Sequence, residues 1–98
     1  MKIEIKKNTK EVVLELEGRL DTTTAPMLDQ AIHEEMGDAK HLVLDMKELA
    51  YISSAGLRVL LSAQKMLQKS GSMKVKNVCD AVMEVFEMTG FADILTIE

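Results

Sequence analysis

Ninety-eight residues, 47% of them hydrophobic, suffice for one compact domain with a single core and not for two. With 16 acidic against 12 basic residues, a net charge of −4 and no basic cluster longer than Lys6-Lys7, the chain is a poor match for nucleic acid. Eight methionines and only 3% aromatic residues point to a core of aliphatic and thioether side chains, and against an aromatic platform for stacked bases.

The opening MKIEIKKNTK alternates charge with isoleucine and lacks the continuous apolar run of a leader. No later segment reaches the length of a membrane span, so a cytoplasmic protein with no membrane contact is expected. In KIEIKK, Ile3 and Ile5 alternate with charge. In VVLELEG, Val12, Leu14 and Leu16 form one strand face, and Val13, Glu15 and Glu17 the other. KKNTKE between them reads as a polar turn, giving a hairpin with one wet face.

RLDTTTAPMLDQAIHEEMGD follows. Asp21 closes the second strand, where its ordinary role is an Asx-type turn. Thr24 is the expected N-cap, Pro26 sits in the first turn where a missing N–H costs nothing, and Gly37 ends the helix. Met27, Leu28, Ala31, Ile32 and Met36 fall on one side of that helix. HLVLDM is then a short apolar run, the pattern of an interior strand, with Asp45 at its end.

YISSAGLRVLL joins that run to the next helix, AGLRVLLSAQKMLQKSG, which ends at Gly71. Gly56, Val59, Leu60, Ala63, Met66 and Leu67 share a stripe at helical spacing, with Arg58, Lys65 and Lys69 opposite. Leu57 and Leu61 fall on neither side, and could extend the core or form an apolar edge that faces a partner. MKVKNV is a further alternating strand. In DAVMEVFEMTG, Val82, Val85, Phe86 and Thr89 keep helical register, Gly90 is the expected C′ residue and Phe91 folds back after it. DILTIE supplies a last strand.

The order is therefore β-β-α-β-α-β-α-β: an α/β domain spanning residues 1–98, with helices on a mixed sheet of four to five strands. A single cysteine, Cys79, cannot close an internal disulfide; at the helix start it occupies, packing is the ordinary role and thiolate activation the rarer one. His33 and His41 lack metal-ligand spacing, so neither a metal nor a cofactor is expected.

Ser53 and Ser54 stand just past a buried strand and open a helix. Capping explains one serine but neither the second nor the small Ala55-Gly56 that follows. An anion on this helix start is stabilised locally, so a phosphate there is compatible with the fold. A hydrolytic nucleophile fits poorly: Ile52 stands where a nucleophile elbow needs glycine, and neither His33 nor His41 is placed as a base.

GRLDTTTAPML, HLVLDMKELAYISSAGLRVLL and AVMEVFEMTGF, in this order and spacing from about Ile3 to Ile97, resemble the STAS domain family, and within it the stand-alone anti-sigma-factor antagonists. The resemblance implies a cycle in which the unphosphorylated antagonist binds an anti-sigma serine kinase of the HATPase type and frees the sigma factor. The kinase then phosphorylates a serine, and a phosphatase resets it. No catalytic residue belongs to the antagonist itself, which is expected as a monomer or weak dimer.

The family's D-S-S/T/A-G-L pattern places the acceptor at Ser54, with Ser53, in the position of the family aspartate, as the rival acceptor. Asp21 matches a family aspartate near the acceptor and Thr24 the hydroxyl residue after it; Ser53, Ala55 and Gly56 complete the surroundings. Leu57, Arg58 and Leu61 are then the expected partner-binding residues. A STAS subunit bound constitutively within a transporter or signalling assembly is the alternative role.

Overall fold

The computed structural model describes residues 1–98. β1 (Lys2–Lys7) and β2 (Glu11–Leu20) form the expected antiparallel hairpin. Its turn is closed by Asn8, whose Oδ1 accepts from the N–H groups of Lys10 and Glu11 at 2.8 and 2.9 Å. α1 (Ala25–Met36), β3 (His41–Ile52), α2 (Ser54–Gln68), β4 (Ser72–Lys76) and α3 (Asp80–Thr89) follow. A 3-10 turn over Phe91–Asp93 leads into β5 (Thr96–Ile97).

The five strands lie in sequence order, with β2 to β5 mutually parallel. Three successive crossovers that step the same way, each right-handed, put every helix on one face of the sheet. The core lies on that face alone: Val12, Leu14 and Leu16 of β2 and Leu42, Leu44 and Met46 of β3 meet Leu28, Ile32, Leu60, Val82 and Phe86 of the helices. The opposite face is wet and charged, with pairs such as Lys6 Nζ to Glu15 Oε1 at 3.3 Å.

β3 runs for 12 residues, twice the length of the apolar run that announces it. Its register with β2 slips between Glu15 and Glu17 and again between Gly18 and Arg19, each time by one extra residue on β3. These bulges turn the inward positions from alternation into Met46, Leu49 and Ile52, every third residue, so KELAYI does not look like a strand. Asp45 accordingly lies inside the strand and not at its end. Its Oδ1 accepts from the Lys47 N–H at 3.1 Å and from Asn77 Nδ2 at 3.1 Å. Partial burial raises the Asp45 pKa, but the Asn77 amide, the Lys47 N–H and the charges of Lys76 and Lys47 outweigh it and leave the group below its ordinary value.

Two helix faces differ from expectation by about one position. On α1 the buried seam is Ala25, Leu28, Ile32 and Met36, which leaves Met27 47% exposed. On α2 the seam is Gly56, Leu57, Leu60, Ala63 and Leu67, with Val59 half-buried and Met66 exposed. Leu57 thus belongs to the core at 7% exposure. α3 ends as expected: Gly90 takes the left-handed conformation at φ 82°, and Phe91 packs half-buried against the core.

Candidate functional site

β2 and β3 end side by side. Leu20 and Ile52 are register partners, so Asp21 and Ser53 leave adjacent strand ends on the same edge of the sheet. Strand C-termini in open α/β sheets are where ligands gather, because the following turns and helix starts present free N–H groups.

On the β2 side, Asp21 Oδ1 accepts from the N–H groups of Thr23 and Thr24 at 3.0 and 3.1 Å, and the Asp21 carbonyl accepts from Ala25 at 2.8 Å. Thr24 occupies the cap position of α1, yet its side chain caps nothing. Its hydroxyl accepts from the Asp21 N–H at 2.8 Å and donates to the Arg19 carbonyl at 2.8 Å, which ties the turn back to the strand. Asp21 instead closes the expected Asx-type turn ahead of the helix, since the two N–H groups its side chain accepts from both precede α1. The Thr24 N–H above all, then the Thr23 N–H, the Thr24 hydroxyl and the Arg19 charge, lower the Asp21 pKa against a smaller upward push from burial.

On the β3 side, Ser53 is extended, with φ −102° and ψ 177°, and its Oγ accepts from the Gly56 N–H at 3.4 Å. Its own N–H donates to the Leu20 carbonyl at 2.9 Å. Ser54, the first residue of α2, is exposed, and no hydrogen bond within the chain holds its hydroxyl. Ala55 is half-buried and packs against the core.

Gly56 has a packing reason. A Cβ there would lie 2.8 Å from Leu20 Cγ and 2.9 Å from Ile52 Cγ1, so only glycine lets the first turn of α2 sit directly on the two strand ends. The glycine therefore faces the core. Farther along α2, Arg58 is exposed and Leu61 half-buried, whereas the burial of Leu57 removes it from the expected partner-facing edge.

Sequence reasoning passed over Arg19 and Tyr51. They are register partners on the wet face, and the Arg19 guanidinium stacks 4.2 Å above the Tyr51 ring, with Nε 4.0 Å from Asp21 Oδ2. Their shared place, one residue before the last of each strand, becomes visible only once the bulges of β3 are counted. Other candidates are placed elsewhere. His41 opens β3 at the opposite edge of the sheet, its Nδ1 2.8 Å from Ser72 Oγ, and His33 is exposed on α1. Cys79 caps α3 by position, and its thiol donates to the Leu49 carbonyl at 3.4 Å. No helix is long and apolar enough to cross a membrane.

The corner is an exposed hydroxyl on a helix start, flanked by a capping serine and an ionised aspartate, on a domain whose whole length matches the model of the STAS domain over residues 2–98. The chain belongs to the STAS domain family. Among STAS relatives, it is 32% identical to the anti-sigma F factor antagonist of Paenibacillus polymyxa, over 99% of this chain and 86% of that one. It is 25% identical to the solved structure of an anti-sigma factor antagonist from Mycobacterium paratuberculosis, with a TM-score of 0.87 over 98% of this chain and 83% of that one. The fold is also that of the Bacillus cell fate determinant SpoIIAA in its phosphorylated form, at 18% identity, a TM-score of 0.76, and coverage of 99% and 91%.

Proposed function

We propose that this STAS domain is an anti-sigma-factor antagonist of a partner-switching pathway, acting in the cytoplasm, with Ser54 as its phosphoacceptor. The observation that carries the reading is the division of labour between the two serines: Ser53 spends its hydroxyl on the cap, while Ser54 presents an exposed, uncommitted one. In the free form the start of α2, with Arg58 and Leu61, docks on an anti-sigma factor kinase, and the sigma factor is released.

Phosphorylation ends that contact. Ser54 Oγ attacks the γ-phosphorus of the kinase's ATP, the bond from that phosphorus to the bridging oxygen breaks with its electron pair leaving on ADP, and the hydroxyl proton passes to a base of the kinase. The phosphate brings about −1.5 to −2 charges to a contact that includes the half-buried Leu61, and desolvating that charge is costly. The unpaired N–H groups of the helix start tolerate the anion, so the fold persists. A phosphatase resets the serine by hydrolysis, and the chain contributes no catalytic group to either step.

The test is intact mass after incubation with Mg-ATP and the anti-sigma kinase of the same genome. The expected result is one phosphate on the native chain and on Ser53→Ala, and none on Ser54→Ala. Uptake that survives Ser54→Ala, or no uptake by the native chain, overturns the reading.

A further inference from the structure

Resting on Ser54 as the phosphoacceptor, we infer that Arg58 is the counter-ion of the phosphorylated state. Ser54 is the first residue of α2 and Arg58 stands four residues later, so the two are neighbours one above the other, with Cβ atoms about 6 Å apart on the helix surface. Side chains on a helix lean toward its N-terminus, and that lean carries the guanidinium of Arg58 back over Ser54. Arg58 is exposed and forms no ion pair within the chain. Its charge is therefore free to meet a new anion, and a planar fork of donors suits phosphate oxygens.

The other charged groups at this corner are already engaged or of the wrong sign. Arg19 stacks on Tyr51 and faces Asp21. Asp21 is held ionised by its turn, so it opposes a neighbouring phosphate, and the first turns of α1 and α2 carry no acidic residue to add to it. The cap next to Ser54 is a neutral serine. A phosphate here thus meets one repelling carboxylate and one free cation. Modification then has two effects on a partner that docks at this edge: it adds an anion, and it withdraws the positive charge that Arg58 offered before.

The experiment places phosphoserine at position 54 of the full chain during translation and follows the phosphate by phosphorus NMR against pH. The second ionisation of a serine phosphate falls near pH 6, and pairing with Arg58 lowers it by about half a unit relative to Arg58→Gln. Arg58→Lys recovers part of the shift, and Arg19→Gln leaves it in place. Equal values in the native chain and Arg58→Gln, or a larger change in Arg19→Gln than in Arg58→Gln, overturn the assignment. Because the phosphate is installed without a kinase, failure of kinase labelling at Ser54 counts against the proposed function and not against this titration.

Discussion

The backbone N–H of Ser53 donates to the carbonyl of Leu20 at 2.9 Å, and the Leu20 side chain lies directly beneath Gly56. One residue of β2 therefore fixes both the entry to α2 and the depth at which its first turn rests.

Gly56→Ala tests that seat. The added methyl overpacks Leu20 and Ile52, a cost of about 1–3 kcal/mol, and the better helix propensity of alanine returns up to about 1 kcal/mol. A net loss of about 1–2 kcal/mol should appear in urea unfolding as a lower midpoint with an unchanged slope. A stabilised variant would contradict the close contact.

Leu57 and Leu61, one turn apart, should separate cleanly. Leu57→Glu buries an unpaired charge in the core and should cost about 3 kcal/mol or more. Leu61 is half-buried and lies outside the core cluster, so Leu61→Glu should cost within about 1 kcal/mol while weakening kinase binding. Thermal melts paired with a binding titration read both effects. Equal losses of stability in the two variants would place Leu61 in the core as well.

Asp21 gives the domain a pH signature. Its carboxylate titrates below the ordinary value in the folded chain, so the unfolded chain takes up its proton first as the pH falls. The resulting stability is complete above the unfolded value of about 3.9 and is lost as the pH drops through the folded value. Asp21→Asn should therefore be less stable than the native chain at pH 7, with the gap closing as the pH falls below the unfolded value and through the lowered folded one. Asp45 titrates alike in both proteins and cancels from the comparison. Urea unfolding at a series of pH values measures the gap, and a gap that stays constant to the acid end would show that the charge contributes nothing.

Ser53→Ala removes the α2 cap. The capping distance of 3.4 Å is long, so the loss should sit at the low end of the usual range, about 0.5–1 kcal/mol, and Ser53→Asp should restore it. Chemical denaturation decides this, and an unchanged midpoint in Ser53→Ala would mean that the cap carries no stability.

Much of this architecture is legible in the residues. The hairpin follows from the alternation in KIEIKK and VVLELEG, and the end of α3 from Gly90, because each depends on chemistry within a few residues. β3 was legible only as far as Asp45, since its two bulges exist to match β2, a partner 30 residues away in the first half of the pairing. Of the two roles open to Leu57 the core one holds, and Met66 leaves the α2 stripe, because Gly56 lets the first turn rest on Leu20, which sets the buried seam toward Leu57. Thr24 does not cap because its backbone is already helical, at φ −95° and ψ −18°, and its hydroxyl accepts instead from the Asp21 N–H, a contact within the turn that the sequence pattern of a helix start does not reveal. Of the site, the serine pair and Asp21 could be read directly. The Arg19–Tyr51 stack could not, because its two residues meet only through strand pairing.

The fit of Gly56 against Leu20 and Ile52 also limits how a signal can travel. A first turn already in van der Waals contact with both strand ends has no slack to sink, shift or rewind, so an event on its outer surface has no lever into the sheet. Such a domain is built as a marker and not a relay: under the proposed function, a phosphate on Ser54 would be written on its surface and stay where it is written, lasting as long as the ester survives.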